Sequence, residues 1–198
     1  MKEGLLILVS GPSGAGKGTI CRKLLDELPS LSYSISATTR QMRPGEKDGV
    51  NYYFKTVEEF ETMIRRDGLL EWAKVYDNYY GTPIEPIRKV LAEGRDILLE
   101  IDTQGALSVM ERFPEGVYIF ILPPSMQELE RRIRGRGTEA EDILQKRLHA
   151  ARKEIDDGKK YKYVIINREV DDAVAEIKAV LTAEKRLIKR NAALFERI

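Results

Sequence analysis

Five apolar residues, Leu5 to Val9, run directly into Ser10-Gly11-Pro12-Ser13-Gly14-Ala15-Gly16-Lys17-Gly18-Thr19. No other feature limits the fold of this chain so tightly. A short continuous apolar run suits a strand buried on both faces. Glycines placed directly after it let successive backbone N–H groups turn inward. The next segment, Gly18 to Leu28, is amphipathic and stops at Pro29, as a helix does. Strand, glycine loop and helix in that order make a cradle for phosphate, because the helix N-terminus adds partial positive charge to that of Lys17. The spacing is G-x-x-x-x-G-K, with Gly18 where Ser or Thr is usual. Gly11, Pro12, Ser13, Gly14, Ala15, Gly16, Lys17, Gly18 and Thr19 are therefore the candidates for holding a nucleoside triphosphate, with Lys17 reaching its β- and γ-phosphates. Thr19, one residue beyond the usual hydroxyl, either binds the α-phosphate or holds Mg²⁺ through water. A dinucleotide-binding G-x-G-x-x-G reading fails, because Thr19 stands at the third glycine position.

Three more short apolar runs follow: Ile97 to Ile101, Val117 to Leu122 and Tyr163 to Ile166. Amphipathic segments lie among them: Pro83 to Glu93, Ser125 to Arg134, Glu139 to Asp157 and Val170 to Ala193. Strands alternating with helices predict an α/β architecture with a parallel sheet. At 198 residues the chain has room for one main domain with small inserts. Residues 33 to 82 break the alternation. Nine aromatics gather there (Tyr33, Tyr52, Tyr53, Phe54, Phe60, Trp72, Tyr76, Tyr79 and Tyr80), and Tyr33-Ser34-Ile35-Ser36 alternates. The pattern predicts short, mostly antiparallel strands and one helix near Val57 to Arg66. A second insert is expected at residues 135 to 146, where Gly135 and Gly137 flank an arginine.

The charge balance narrows the partners. There are 33 basic and 32 acidic residues, a formal net charge of +1, so bulk attraction to nucleic acid is weak. Arg131, Arg132, Arg134 and Arg136 are crowded together, but Glu128, Glu130, Glu139, Glu141 and Asp142 flank them, which argues against nucleic-acid binding. No apolar run approaches the roughly 20 residues of a membrane helix, and Leu5 to Val9 is too short for a secretory signal. Cys21 is the single cysteine, which excludes an intrachain disulfide and points to a reducing, cytoplasmic location. His149 is the single histidine and is expected to be solvated on a charged helix. The basic-amphipathic tail, Lys185 to Arg197, is expected to be a helix packed by Leu187, Ile188 and Leu194, and it leaves a homo-oligomer open.

A phosphate loop identifies a triphosphate site and not a reaction. The acceptor has to be read elsewhere. Arg40 and Arg43 stand three apart in a hydroxyl-rich loop, either as a two-pronged phosphate clamp or as solvated arginines. Tyr52, Tyr53 and Tyr80 offer further O–H donors. Glu71, before Trp72, is either a surface charge or a carboxylate that accepts from the N1–H and N2–H₂ edge of guanine; adenine presents an acceptor there and would be repelled. Trp72 is expected in the core.

Several stretches together resemble the guanylate kinase family. These are the phosphate loop, Ser36-Ala37-Thr38-Thr39-Arg40, Arg43-Pro44-Gly45-Glu46, Gly49-Val50-Asn51-Tyr52, Glu71-Trp72, Asn78-Tyr79-Tyr80-Gly81 and Ile101-Asp102-Thr103-Gln104-Gly105. Pro123-Pro124-Ser125, Gly135-Arg136-Gly137-Thr138-Glu139 and Lys146-Arg147-Leu148 extend the match, in order, over residues 4 to 185. The resemblance implies transfer of the γ-phosphate of ATP to GMP, with Mg²⁺ held by the ATP phosphates and water. It implies a P-loop three-layer α/β/α core (residues 1–36, 84–134 and 147–198), a GMP-binding insert at 37–83 and a lid at 135–146. Ser36, Glu71 and Thr82 would contact guanine, and Arg40, Arg43, Tyr52 and Tyr80 the GMP phosphate. Asp102 would face the nucleotide or metal-bound water, and Glu100 stands where some members carry Asp. Arg136 and Arg147 would approach the ATP phosphates on lid closure, and Asn167 would lie near adenine. Hinges are expected near Gly81 and at Gly135 to Gly137. Two other readings remain open at this point: a kinase for another nucleoside monophosphate, and a non-catalytic interaction module of the same fold.

Overall fold

The computed structural model describes residues 4–75, 77–135 and 141–197. Tyr76 and residues 136–140 of the expected second insert, Arg136 among them, lie outside the described residues.

The apolar runs become strands because both their faces are covered. β1 (Leu6–Ser10) is buried at every position. It pairs in parallel with β7 (Ile97–Glu100), Leu8 opposite Leu99, and on its other side with β8 (Val117–Leu122), Leu8 opposite Tyr118. β9 (Tyr163–Ile166) and β2 (Ser32–Tyr33) close the two edges, giving the all-parallel order β2-β7-β1-β8-β9. One face of this sheet buries Ile7, Val9, Leu98, Ile119 and Ile165 under α1 (Lys17–Glu27) and α7 (Val170–Arg186), which contribute Ile20, Leu24, Ile177 and Leu181. The opposite face buries Leu6, Leu8, Ile97 and Leu99 under α3 (Ile84–Ala92) and α4 (Thr103–Arg112), through Ile87, Leu91, Ala106 and Val109. At about 1.5–3 kcal/mol for each large side chain fully buried, these two interfaces supply most of the drive to fold. The expected three-layer parallel α/β/α architecture is borne out.

The aromatic region forms a second sheet, ordered β4-β3-β6-β5, from β3 (Ala37–Thr38), β4 (Tyr53–Phe54), β5 (Leu69–Val75) and β6 (Asn78–Pro83). Only the β3–β4 pair is parallel. The helix expected near Val57 is α2 (Val57–Arg65), opened by a capping box in which Thr56 and Glu59 satisfy each other's backbone N–H. Its Phe60 stacks on Tyr79, with ring centroids 5.3 Å apart, over a small core with Ala37 and Leu69. A second satellite core joins α5 (Met126–Arg134) to α6 (Glu141–Asp157) through Leu129, Ile133, Leu144 and Leu148.

Several expectations need correction. Tyr33 belongs to the central sheet: Ser32–Tyr33 pairs with Ile97–Leu98, which two residues of alternation could not reveal. α4 had no forecast, because its first turn, Thr103-Gln104-Gly105, reads as a polar loop. Trp72 is not core; it is 47% exposed and meets Tyr79 edge-on. Gly81 is not in a loop; it lies buried inside β6. The helix from Val170 ends at Arg186 instead of Ala193, because Leu187 turns extended. The Asn191 side chain donates to the carbonyls of Lys185 and Leu187, satisfying groups a broken helix leaves bare. Beyond the break, Ile188 and Leu194 are exposed, so they do not pack the tail.

Glu184 is the one carboxylate the core takes in, with its side chain 1% exposed among the described residues. Lys162 donates to it at 2.5 Å, and the Tyr163 hydroxyl donates as well. Burial pushes this carboxyl up, but those two donors outweigh it and hold it below the usual range.

Candidate active site

The phosphate loop leaves β1 at the carboxyl end of the sheet, where parallel α/β folds place their ligands. Gly16 is the N-cap of α1 and has φ +95°, a conformation open to glycine and costly for other residues. A β-carbon at Gly16 would also come 2.3 Å from the Asn167 side-chain nitrogen. The first turn of α1 carries no acidic side chain, so its free N–H groups and positive dipole remain available to an anion. Lys17 folds back over the loop and donates to the carbonyls of Gly11 at 2.5 Å and Pro12 at 3.4 Å.

Two long-range donors brace the loop from behind. Asn167, just after β9 and 3% exposed, donates to the Ala15 carbonyl at 2.7 Å. Arg132 on α5 donates to the Asn167 carbonyl at 3.0 Å and to the Ala15 carbonyl at 3.4 Å. In the sequence Arg132 stands out only as one of four crowded arginines with acidic flanks. Its neighbour in sequence, Arg131, does keep a surface role, forking onto Glu128 at 2.7 Å. Gly14, Gly16, Thr19, Arg132, Asn167 and Arg168 line a shallow cavity of about 350 Å³ beside the loop.

A second cavity, about 410 Å³, joins the loop to the smaller sheet. Lys17, Glu100, Asp102 and Gly105 line it from the core side, and Ser36, Tyr52, Glu71 and Tyr80 from the other. Glu71 and Thr82 face each other across β5 and β6, next to an irregularity between Leu69 and Glu71. The buried Thr82 hydroxyl donates to Glu71 Oε1 at 2.6 Å. Burial pushes the Glu71 carboxyl above its usual range, the Thr82 bond works against that rise, and the charge of Asp102 adds to it. Glu100, at the end of β7, is likewise raised by burial and lowered by Lys17 and Arg22. Glu154 on α6 is pushed up by burial and pulled down by Lys17. One lysine thus sits among carboxylates from two elements. Cys21 is buried, its thiol pushed up by burial and then by Glu100, and His149 is exposed.

The two clamp arginines differ. Arg40 is held: its guanidinium forks onto Glu46 at 2.8 and 3.0 Å and stands over the Tyr52 ring, 5.5 Å from the centroid. Glu46 also accepts from the backbone N–H of Arg43 at 2.8 Å, so one carboxylate shapes the whole turn. The side chain of Arg43 is on an exposed stretch. Arg147 stands exposed on α6 and is not among the residues lining either cavity. Residue types alone marked Arg40 as a clamp candidate; the role of Glu46 had one visible signal, its place three residues after Arg43.

Gly18 leaves room at the position where a loop hydroxyl is usual. A β-carbon there would stand 3.4 Å from Glu100 Oε1. Among the described residues no cluster of three or more His, Cys, Asp or Glu side chains could hold a metal by itself. Two carboxylates, Glu100 and Asp102, beside a phosphate loop do fit a hard dication bound mainly by substrate phosphates and water.

Comparisons with known proteins agree with this geometry. The family model described as guanylate kinase matches residues 3–184. The guanylate kinase of Caldanaerobacter subterraneus subsp. tengcongensis is 59% identical over 197 residues, covering 100% of this chain and 96% of the relative. That of Desulfitobacterium hafniense is 54% identical over 194 residues, covering 98% and 97%. The crystal structure of guanylate kinase from Anaplasma phagocytophilum superposes with a TM-score of 0.76 at 36% identity, over 96% of this chain and 90% of that one. With a family model that spans nearly all of the sheet, both cavities and the loop between them, and with relatives alike from end to end, the chain belongs to the guanylate kinase family.

Proposed function

We propose how the residues assembled above carry the ATP-dependent phosphorylation of GMP, ATP + GMP = ADP + GDP, that membership of this family assigns to the chain. The observation that carries the reading is the single cavity lined both by Lys17 and by the Thr82-bonded Glu71. It brings the loop lysine and a buried carboxylate to one space, which supports reading them as a phosphate-binding cation and a guanine reader. Ser36, Glu71 and Thr82 read guanine; Arg40, Arg43, Tyr52 and Tyr80 take the GMP phosphate; the loop Gly11–Thr19 takes the ATP phosphates. The shallow cavity at Arg132, Asn167 and Arg168 suits the adenine end, with Asn167 lining it while bracing the loop. Arg136 and Arg147 approach the transferring group when residues 135–146 close as a lid, and residues 37–83 move as the GMP-binding unit. The single, buried Cys21 favours a cytoplasmic setting.

The chemistry is mainly positioning and charge cancellation. Two anions have to meet in line. Lys17, Arg40, Arg43, Arg136 and Arg147 supply the protein's positive field. The acceptor phosphate oxygen is already deprotonated at neutral pH, so no side chain has to remove a proton. Glu100 and Asp102 would accept from the water around a Mg²⁺ carried in on the ATP phosphates, and that ion would supply further charge neutralisation. Closure over the bound substrates keeps water, the competing acceptor, away from the γ-phosphorus.

The direct test measures ADP formation from ATP-Mg²⁺ with GMP, AMP, CMP, UMP or no acceptor. Fast turnover is expected with GMP alone. Turnover with another monophosphate would remove Glu71 as the base reader, and ATP binding without turnover on any acceptor would favour a non-catalytic interaction module.

A pH profile separates Glu71 from the other carboxylates. It accepts from two guanine donors only when ionised, and burial raises it above the ordinary range near 4.5. As pH falls, protonation therefore begins earlier than at an ordinary glutamate. The value of kcat/KM for GMP should drop on that acid limb while KM for ATP holds. In Glu71→Gln the limb should vanish and GMP should bind more weakly. Persistence of the same limb in that variant would assign it to another group.

A further inference from the structure

Gly105 stands in the first turn of α4, directly against Glu71. A β-carbon built on it would lie 2.8 Å from Glu71 Oε2, 3.2 Å from Cδ and 3.5 Å from Cγ. The other carboxylate oxygen, Oε1, is fixed by the Thr82 hydroxyl at 2.6 Å. The carboxylate is thus held between a hydroxyl on β6 and the bare α-carbon of a helix. A β-carbon at 105 would push it from this position and strain its bond to Thr82.

The helix cannot easily retreat either. Arg112, at the other end of α4, donates to the Leu69 carbonyl at 2.7 Å and to Asp67 Oδ2 at 2.8 Å, tying α4 to the start of β5. The buried Ala106 and Val109 fix α4 on the sheet. A side chain at 105 would therefore move the Glu71 carboxylate and not the backbone, since the atom it meets is the far end of a flexible side chain.

We infer that Gly105 is a specificity-determining position: the absence of its side chain is what lets Glu71 present its carboxylate to the base. The inference rests on the reading of Glu71 as the guanine reader. It assigns Gly105 a positioning role and no contact with the reacting atoms. It also accounts for a glycine in the first turn of a helix, where almost any other residue would favour the helix more.

The test compares the wild-type enzyme, Gly105→Ala, Glu71→Ala and the double variant, using GMP, IMP and ATP as varied substrates. IMP lacks the exocyclic amine, so its rate relative to GMP reports whether the carboxylate still meets both donors. Gly105→Ala should raise KM for GMP about tenfold or more and narrow the preference for GMP over IMP, with KM for ATP within about twofold. In the Glu71→Ala background the same change should alter KM for GMP less than about twofold, because the Oε2, Cδ and Cγ atoms that the methyl would meet are gone. Should Gly105→Ala lower the melting temperature, Glu71→Ala in the same chain should restore it.

An unchanged KM for GMP in Gly105→Ala, additive losses in the double variant, or a melting temperature that Glu71→Ala fails to restore would each overturn the inference. Undiminished preference for GMP in Glu71→Ala alone would instead remove the reading on which it rests.

Discussion

Lys17→Ala should lower turnover by about three orders of magnitude or more and leave the fold intact. Among the described residues Lys17 donates to carbonyls of its own loop, Gly11 and Pro12. The strand and helix around it are anchored elsewhere, by Ile20 and Leu24 on one side and by Leu8 and Val9 on the other. The change in stability should therefore stay within about 1 kcal/mol, the ordinary cost at a partly exposed site. Catalysis is a different matter. Glu100 and Glu154 both carry shifts that register the nearby lysine charge. With the ammonium removed, the entering phosphates meet carboxylates without their counter-charge. The loss should fall on kcat, because the charge on the transferring group is greatest in the transition state. Initial rates of ADP formation and a thermal melt on the same preparation decide it. Wild-type turnover from a folded Lys17→Ala chain would sink the assignment.

What the sequence disclosed follows the range of the interactions. β1, β7, β8 and β9 were legible because burial on both faces writes itself as a continuous apolar run. The phosphate loop was legible because all its donors are local to a few residues. β2 was not, since a two-residue edge strand leaves no pattern and owes its existence to β7. Nor was α4, whose first turn carries the glycine that Glu71 requires, so a demand of the site hid the helix signal. Trp72 misled because an aromatic in a hairpin can rest one edge on a neighbour and leave the rest in water. In the site, residue types were enough to name Lys17, Arg40 and Glu71 as candidates, and the structure brings Lys17 and Glu71 to one cavity. Arg132 escaped because its partner, Ala15, is 117 residues away in the chain. Charge runs say where cations are, not which of them the fold turns inward.

Arg40→Ala should raise KM for GMP by about two orders of magnitude while KM for ATP moves little. The expected size is that of a fork of charge-assisted bonds to a phosphate, lost from a site arranged around it. The arrangement is unusually complete for a loop residue. Glu46 fixes the guanidinium by two bonds, and both side chains are largely covered, at 15% and 20% exposure. The Tyr52 and Phe54 rings hold the cation from their faces, 5.5 and 5.7 Å from its carbon. Ordering of this kind in advance reduces what the phosphate has to immobilise on arrival. Two companion variants separate charge from geometry. Arg40→Lys keeps the charge but has neither the planar fork nor its fit to Glu46, so it should recover only part of the loss. Glu46→Gln leaves the arginine in place but loosens it and the Arg43 backbone, and should weaken GMP by an intermediate amount. Steady-state kinetics with each substrate varied in turn give the decisive comparison. Equal losses for GMP and ATP would mean that Arg40 steadies the closed enzyme as a whole; full rescue by lysine would mean that charge alone counts and that the fork on Glu46 is incidental.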